Sequence, residues 1–326
     1  RVAAGAGDGA DALIVSSGSN LQFLRSGSLT VAAGGTVGVN TAVARIASGA
    51  SQEFGNASEG TTVGTTTITS GVGPGSVAEV VAPGSQNLRF GSLSLSAVGA
   101  GQNSIARVEA GTSQNLSSSN VSLSAGSNAG ASALIKAATG QTFTGSGGVT
   151  LTGGTGITGS GNDASALIVN LAGAQSLNKN TGGTWILTTG ADYGPAGIVN
   201  NGTTQDIIAG NITIQTGAGA NNVNAPLTGD YVAGIVNLGS GAQTVRGSAI
   251  QINNANAPGS IGIYSANAQS LSAFGSLTVQ TSNATGAARI ALASGTQTVG
   301  ASGVVTVQVT GGGGTAAIDA VSHATN

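Results

Sequence analysis

Few residues in this chain have side chains that could perform catalysis. The single histidine is His323, and cysteine does not occur. Serine–histidine–aspartate and cysteine–histidine mechanisms therefore have no candidate parts, and zinc sites built from histidine and cysteine are excluded. No Walker or dinucleotide-binding glycine motif occurs either. The sequence predicts a protein that is not an enzyme and that carries no cofactor.

Three aspartates form the best acidic constellation. Asp163, Asp192 and Asp230 each precede a similar apolar segment by three or four residues, and Tyr193 and Tyr231 directly follow two of them. If these segments stack, the carboxylates would lie along one edge and could offer oxygen ligands to Ca²⁺, or could bind a sugar. Aspartate also favours turns simply because its side chain hydrogen-bonds the local backbone. We take solvated turn residues as the simpler interpretation and keep the three as a weak metal-site candidate.

Charged and hydroxyl side chains recur at matching places in successive segments. Arg45, Glu79 and Arg107 would share one outward column with Glu109 nearby, which predicts a surface ion-pair ladder, and a catalytic carboxylate–arginine pair is the sharper alternative. A second outward column is rich in threonine and serine, which is also how some ice-binding proteins are built. It is interrupted by Ile186 and Gln251, so a solvent-facing strand surface is the simpler interpretation.

Glutamine gives the clearest spacing. Ten glutamines, each followed two residues later by an apolar residue, recur at intervals of 26 to 38 residues. Each shares the parity of inward-facing apolar residues, so we predict an inward ladder in which stacked side-chain amides hydrogen-bond one another. The alternative is a row of solvent-facing corner residues. The ladder comprises Gln22, Gln52, Gln86, Gln114, Gln141, Gln175, Gln205, Gln243, Gln269 and Gln297.

These residues must be positioned by short strands. Before the glutamine segment lies an Ala-x-Ile/Val segment such as Ala166-Leu167-Ile168, and after it an alternating segment such as Ile212-Thr213-Ile214. Alternation of period two is typical of strands, whereas no sustained helical periodicity occurs. Parity predicts that the apolar residues of the third segment, from Leu29 and Val31 to Val305 and Val307, face the core.

Repetition of the three segments predicts the fold. We expect an all-β, parallel β-solenoid (β-helix) of about ten coils of roughly 31 residues, with three short strands per coil. Residues 1–326 would form a single solenoid domain, with partial terminal coils at 1–10 and 316–326. One coil cannot bury enough apolar surface to offset the entropy of ordering about 30 residues, so stacking is required.

Composition limits the partners. The chain has 57 glycines, only 6% charged residues and a net charge of −2, so we expect no electrostatic grip on nucleic acid. No apolar run is long enough for a membrane-spanning helix. Because the chain starts at Arg1 without a methionine, we expect a processed chain or part of a longer one.

The terminal segments predict self-association. No capping segment is recognised, so the terminal strands around Ala12, Ile14, Ala316 and Ile318 would present unpaired edges that could accept another copy. A head-to-tail contact that does not close on itself produces a filament. Partners would therefore be copies of the chain itself, with lateral bundling left open.

Glycine-punctuated segments carry a family resemblance. Gly27-Ser28-Leu29-Thr30-Val31-Ala32-Ala33-Gly34-Gly35 and Gly148-Val149-Thr150-Leu151-Thr152-Gly153-Gly154 resemble the repeats of bacterial exported β-solenoid proteins, including filamentous-haemagglutinin-like exoproteins. The resemblance implies a secreted or cell-surface rod used in adhesion or in a biofilm matrix. We therefore expect a bacterial, extracellular filament subunit. The alternatives are an adhesin that binds a host or glycan ligand, a polysaccharide-acting enzyme on the same fold, and an ice-binding protein.

Overall fold

The chain folds as a β-solenoid of parallel strands, seen in a computed structural model. The structure describes residues 1–5, 10–19, 21–34, 41–56, 58–97, 102–155, 164–178, 182–190, 194–217 and 231–320. These ranges contain strands and turns and no helix. Accordingly, none of them forms a helix long and apolar enough to cross a membrane.

Thirty strands follow one another along the described chain. The first ten are β1 (Val2–Ala3), β2 (Asp11–Ser16), β3 (Gln22–Leu24), β4 (Ser28–Ala32), β5 (Val43–Ser48), β6 (Gln52–Phe54), β7 (Val63–Thr69), β8 (Val77–Ala82), β9 (Gln86–Ser96) and β10 (Ile105–Ala110). The next ten are β11 (Ser113–Ser124), β12 (Ser132–Ala137), β13 (Gly140–Thr144), β14 (Val149–Thr152), β15 (Ala166–Asn170), β16 (Gln175–Asn178), β17 (Trp185–Thr188), β18 (Ala196–Asn200), β19 (Gln205–Ile208) and β20 (Asn211–Gln215). The last ten are β21 (Tyr231–Asn237), β22 (Gln243–Gly247), β23 (Ala249–Asn254), β24 (Ser260–Ser265), β25 (Gln269–Ala273), β26 (Leu277–Thr281), β27 (Ala287–Leu292), β28 (Gln297–Ala301), β29 (Val305–Val309) and β30 (Thr315–Ala320).

The strands stack in parallel across successive turns. One sheet contains eleven strands in the order β2-β5-β8-β10-β12-β15-β18-β21-β24-β27-β30. The other contains nineteen strands, made of a column that carries the glutamines and a column that follows it in each turn. In β9 and β11 the two columns are joined, because one uninterrupted strand supplies both rungs. The architecture is thus a β-helix of about ten turns.

Like residues pair with like residues from turn to turn. In the eleven-stranded sheet Ala133 pairs with Ala166, which pairs with Ala196, and Ala196 pairs with Ala233. In the other sheet Trp185 pairs with Ile212. Because side chains alternate between the two faces of a strand, this register places all the apolar residues of one parity inside.

The interior is a continuous apolar column that runs the length of the solenoid. Its largest fully buried side chains include Trp185, Phe54, Phe90 and Phe143. Phe54 and Phe90 meet edge to face with their ring centroids 6.1 Å apart, a favourable aromatic geometry. Inward alanines of the eleven-stranded sheet belong to the same cluster, together with isoleucines and valines of the same strands.

Candidate functional site

The acidic candidate from the sequence cannot be placed. Asp163, Asp192 and Asp230 all lie outside the described residues, as does His323. Among the residues that the structure does describe, no group of three or more histidine, cysteine, aspartate or glutamate side chains is arranged to hold a metal ion. The calcium or sugar site at these aspartates therefore stays a prediction.

Arginine, glutamate and lysine side chains form a charged cluster on the outer face of the eleven-stranded sheet. The register pairs Arg45 with Glu79 and Glu79 with Arg107, as the shared column requires. Glu79 Oε1 accepts from Arg45 Nε, and Glu79 Oε2 accepts from Arg107 Nε at 2.5 Å. Arg107 also contacts Glu109 at 3.0 Å, and Lys136 contacts Glu109 at 2.8 Å. Five charges of alternating sign thus follow one another across four turns.

Glu79 is buried, whereas the sequence predicts an ion pair at the surface. Its side chain is 0% exposed, whereas Arg45 and Arg107 retain 42% and 32% exposure. The two arginines, which come from the turns on either side, cover the carboxylate. With both oxygens engaged and no exposed surface, this carboxylate is placed to neutralise its neighbours rather than to meet a substrate.

Replacing Glu79 by alanine is expected to lower the free energy of unfolding by about 1–3 kcal/mol. Removing one partner of a buried ion pair leaves the others uncompensated, although the partial exposure of the two arginines reduces the effect. Urea unfolding monitored by circular dichroism measures the change. Glu109→Ala, which removes a carboxylate that is 23% exposed, is the matched control and should cost less than about 1 kcal/mol. Equal losses in the two variants would contradict the role assigned to Glu79.

The ten glutamines lie in one column inside the solenoid. From Gln52 to Gln269 their exposure is 2% or less, and Gln22 is 9% exposed. In each neighbouring pair the Nε2 of the later glutamine donates to the Oε1 of the earlier one. The nine bonds measure 2.6 to 3.0 Å. The side chains therefore form an unbroken ladder of amides within the apolar core.

The ladder satisfies most of the hydrogen-bonding capacity that it buries. Several of these amides donate their second hydrogen to a backbone carbonyl of the eleven-stranded sheet, as Gln86 does to Val80 and Gln205 does to Val236, both at 3.2 Å. A buried amide without partners would cost free energy, so this arrangement makes a polar core position tolerable. These bonds to the backbone also tie the two sheets together.

A second amide ladder, which was not predicted from the sequence pattern, lies at the ends of three strands of the eleven-stranded sheet, β15, β18 and β21. Asn170 Nδ2 donates to Asn200 Oδ1 and Asn200 Nδ2 donates to Asn237 Oδ1, both at 2.8 Å, and all three side chains are 0% exposed. Its bonds point towards later turns, opposite to those of the glutamines. The available signal was an asparagine four residues after the inward alanine in each strand, at Ala166, Ala196 and Ala233.

Hydroxyl side chains form two rows on the outer face of the column that follows the glutamines. The register aligns Thr67 with Ser94, Ser122 and Thr150, and Thr69 with Ser96, Ser124 and Thr152. Ile186 and then Gln251 take the same position in later turns. The rows are continuous over the earlier turns and mixed in the later ones.

Both ends of the described solenoid expose side chains that elsewhere belong to the core. Val305 and Val307 are 50% and 46% exposed, although Leu277 and Val279, their partners one turn earlier, are 0% exposed. Both valines keep the inward parity that the sequence predicts, but they stay exposed because no strand covers β29 within the described residues. At the opposite end Ile14 is 42% exposed, whereas its partner Ile46 is 0% exposed.

Three surfaces thus remain open for function: the charged cluster, the outer polar faces and the two apolar ends. The amide ladders are internal and hold the turns together. Comparison with protein-family models, curated proteins and solved structures finds no match to this chain.

Proposed function

We propose that this chain is a non-catalytic structural rod whose ends dock head to tail into a filament. In this proposal the whole chain is one domain, built from coils of about 31 residues that carry three strands each. A single coil could not fold alone, because each coil depends on its neighbours for hydrogen bonds and for apolar burial. In this proposal the repeats serve to make the rod long.

The observation that carries the proposal is the exposure of core positions at both ends: Val305 and Val307 at one end and Ile14 at the other, whereas Val2 is 5% exposed. Of the stacked strands, β30 and β29 are edges at one end, and β2 and β1 are edges at the other. Continuing the register would place Ala316 and Ile318 of one copy on Ala12 and Ile14 of the next. Val307 would likewise meet Val2. Residues at equivalent positions would then pack on each other across the joint, as they do between successive turns within the chain.

The proposed joint has a definite geometry. The column of β2 and the column of β1 each contain eleven rungs, whereas the glutamine column contains ten in the described residues. One glutamine rung is therefore missing where β30 meets β2. Gln297 and Gln22 of adjacent copies would lie two rung spacings apart, about 10 Å. Because the two edges are different surfaces, the contact is heterologous and does not close into a dimer.

An extracellular, bacterial setting completes the proposal. Support comes from the resemblance of the glycine-punctuated repeats to exported bacterial β-solenoids and from the absence of cysteine and methionine, which leaves no thiol or thioether to oxidise. The aligned hydroxyl rows of the earlier turns offer a face on which rods could bundle side by side. An adhesin is the second candidate, and it is favoured by a depression on the outer face that is lined by Glu53, Asn87 and Asn115.

Electron microscopy and mass photometry of the purified 326-residue chain test the proposal. A single rod should be about 50 Å long, since eleven rungs are spaced by about 4.8 Å. We expect longer rods in multiples of this length, with the fraction of long rods rising with protein concentration. Single rods at every concentration, or particles joined only side by side, would contradict end-to-end assembly.

A further inference from the structure

Two adjoining depressions mark the outer face of the glutamine strands in the earlier turns. One, with a volume of about 220 Å³, is lined by Glu53, Arg89 and Thr144 among others. The other, of about 390 Å³, is lined by Ser113, Thr142 and further residues. Asn87 and Asn115 line both, so the two form one continuous groove that we call the polar groove.

The strand register arranges the groove as two parallel rows. Glu53, Asn87, Asn115 and Thr142 pair in sequence along one row. Arg89, Ser117 and Thr144 pair along the other, two residues further on each strand. Four rungs at about 4.8 Å give the first row a length of about 14 Å, which suits an extended ligand lying along the solenoid axis.

Four polar side chains of the groove are not used by the protein itself, unlike the ladder glutamines that also line it. Within the described residues, Asn87, Asn115, Glu53 and Arg89 make no side-chain hydrogen bond or ion pair. Glu53 and Arg89 stand in adjacent turns and carry opposite charges, yet they remain apart. Elsewhere on this rod such neighbours pair, as Arg45 does with Glu79. Charge-bearing groups and amides thus face the groove with their bonding capacity available.

The backbone of the preceding turn packs closely against the base of Arg89 and forms the border of the groove there. Gly55, in the preceding turn, has φ of 74°, a left-handed conformation that favours glycine. A Cβ at this position would lie 3.0 Å from the Cβ of Arg89 and 2.6 Å from the backbone oxygen of Thr61. Glycine at position 55 therefore permits the close approach of this backbone to the base of the Arg89 side chain.

The chemistry of the lining indicates the class of ligand. Amides and hydroxyls both donate and accept hydrogen bonds, which complements a neutral ligand rich in hydroxyl groups. A single arginine is too little for a phosphate backbone. An added peptide strand would need an open sheet edge, and the strands here are paired on both sides. Phe23, which extends the row of Glu53 by one turn and is 44% exposed, adds an aromatic ring, one face of which lies under the Arg25 guanidinium at 5.0 Å.

We infer that the polar groove binds an extended neutral oligosaccharide. Asn87 and Asn115 would hydrogen-bond sugar hydroxyls at its centre, with Glu53 and Arg89 at one end. Glu53 is the one carboxylate among the lining residues, whereas glycoside hydrolysis ordinarily requires a pair, so the inference concerns binding and not cleavage. It is independent of end-to-end assembly, since the groove lies on the side of the rod.

Isothermal titration with defined sugars tests the inference. The probes are cellohexaose, maltohexaose and mannohexaose, with hexagalacturonate as an anionic comparison. We expect at least one neutral hexasaccharide to bind, and we expect its affinity to fall by about tenfold or more in the Asn87→Ala/Asn115→Ala variant. Thr244→Ala/Ser270→Ala is the matched control, because these residues continue the same row in later turns, and its affinity should match that of the parent chain.

The outcomes separate cleanly. Failure of all three neutral sugars to bind at millimolar concentration would overturn the inference. So would equal affinity in the asparagine variant and its control, or binding of hexagalacturonate alone. Circular dichroism of each variant should equal that of the parent, because the substituted side chains point outward and make no intramolecular bonds. A variant that loses binding together with its strand signal is replaced by the single Asn115→Ser change, which must then weaken binding for the inference to stand.

Discussion

Replacing Gln175 by leucine is expected to lower the free energy of unfolding by about 2–5 kcal/mol. The side chain is 1% exposed; it donates to Gln141 at 2.8 Å and accepts from Gln205 at 2.7 Å. Leucine would leave one buried acceptor and one buried donor without partners, each of which costs about 1–3 kcal/mol. Against a total stability of about 5–15 kcal/mol for a typical domain, such a loss is large.

Trp185 provides the measurement. It is the one tryptophan of the chain, it is fully buried, and it lies in the turn that contains Gln175. Its fluorescence reports unfolding of the middle turns in urea, while circular dichroism reports all the strands. Ser176→Ala, the adjacent outward position, should change the stability by no more than about 0.5 kcal/mol. If Gln175→Leu proved as mild as Ser176→Ala, the ladder would not be a stabilising element.

The position of the substitution should matter as well. Gln297 donates to Gln269 at 2.8 Å but has a ladder neighbour on only one side within the described residues, and it is partly exposed. Gln297→Leu should therefore cost less than Gln175→Leu. In a repeat protein each turn interacts only with its neighbours, so a central defect is also expected to separate the fluorescence and dichroism transitions.

Lysine at either apolar end is expected to abolish filament growth without unfolding the rod. In the proposed joint, Val307 of one copy packs on Val2 of the next, and Ile14 packs on Ile318. Val307→Lys or Ile14→Lys would bury an unpaired ammonium there, which is strongly unfavourable. Because both positions are nearly half exposed in the single chain, the fold itself tolerates the change. We expect the association constant to fall by at least about a hundredfold, that is about 2.8 kcal/mol.

Thr306→Lys supplies the matched control for this experiment. Thr306 lies between the two valines on β29 but faces outward in the hydroxyl row, paired with Thr278. It adds the same charge to the same strand and should leave the association constant within about threefold of the parent. Mass photometry over a range of concentrations measures all three variants. Filaments of unchanged length with Val307→Lys, or equal inhibition by Thr306→Lys, would locate the joint elsewhere.

Alternation of side chains explains why the parallel, stacked fold could be predicted from the sequence. Ile212 and Ile214 share parity and are 1% and 0% exposed, as a strand with one buried face requires. The recurring segments before and after each glutamine also give the pairing partner, since shifting a strand by one residue would expose its apolar face. At these positions the alternation of apolar and polar residues agrees with the register between turns, so the register could be predicted from the alternation.

Features that depend on neighbours from several turns could not be read in the same way. The depth of Glu79 arises because Arg45 and Arg107 cover it from both sides, and no local pattern around Glu79 encodes that. The buried asparagine ladder was missed because Asn170, Asn200 and Asn237 end their strands, where asparagine ordinarily signals a turn. The polar groove likewise combines Glu53, Asn87 and Asn115 from separate turns.

The most direct test of the account is a cryo-EM map of assembled filaments that resolves side chains at the joint. The account predicts that Ile318 of one copy lies on Ile14 of the next, with Gln297 and Gln22 about 10 Å apart across one missing rung. The parallel direction of the strands would continue through the joint. A map in which identical ends meet, or in which rods associate only through their sides, would contradict head-to-tail assembly of this solenoid.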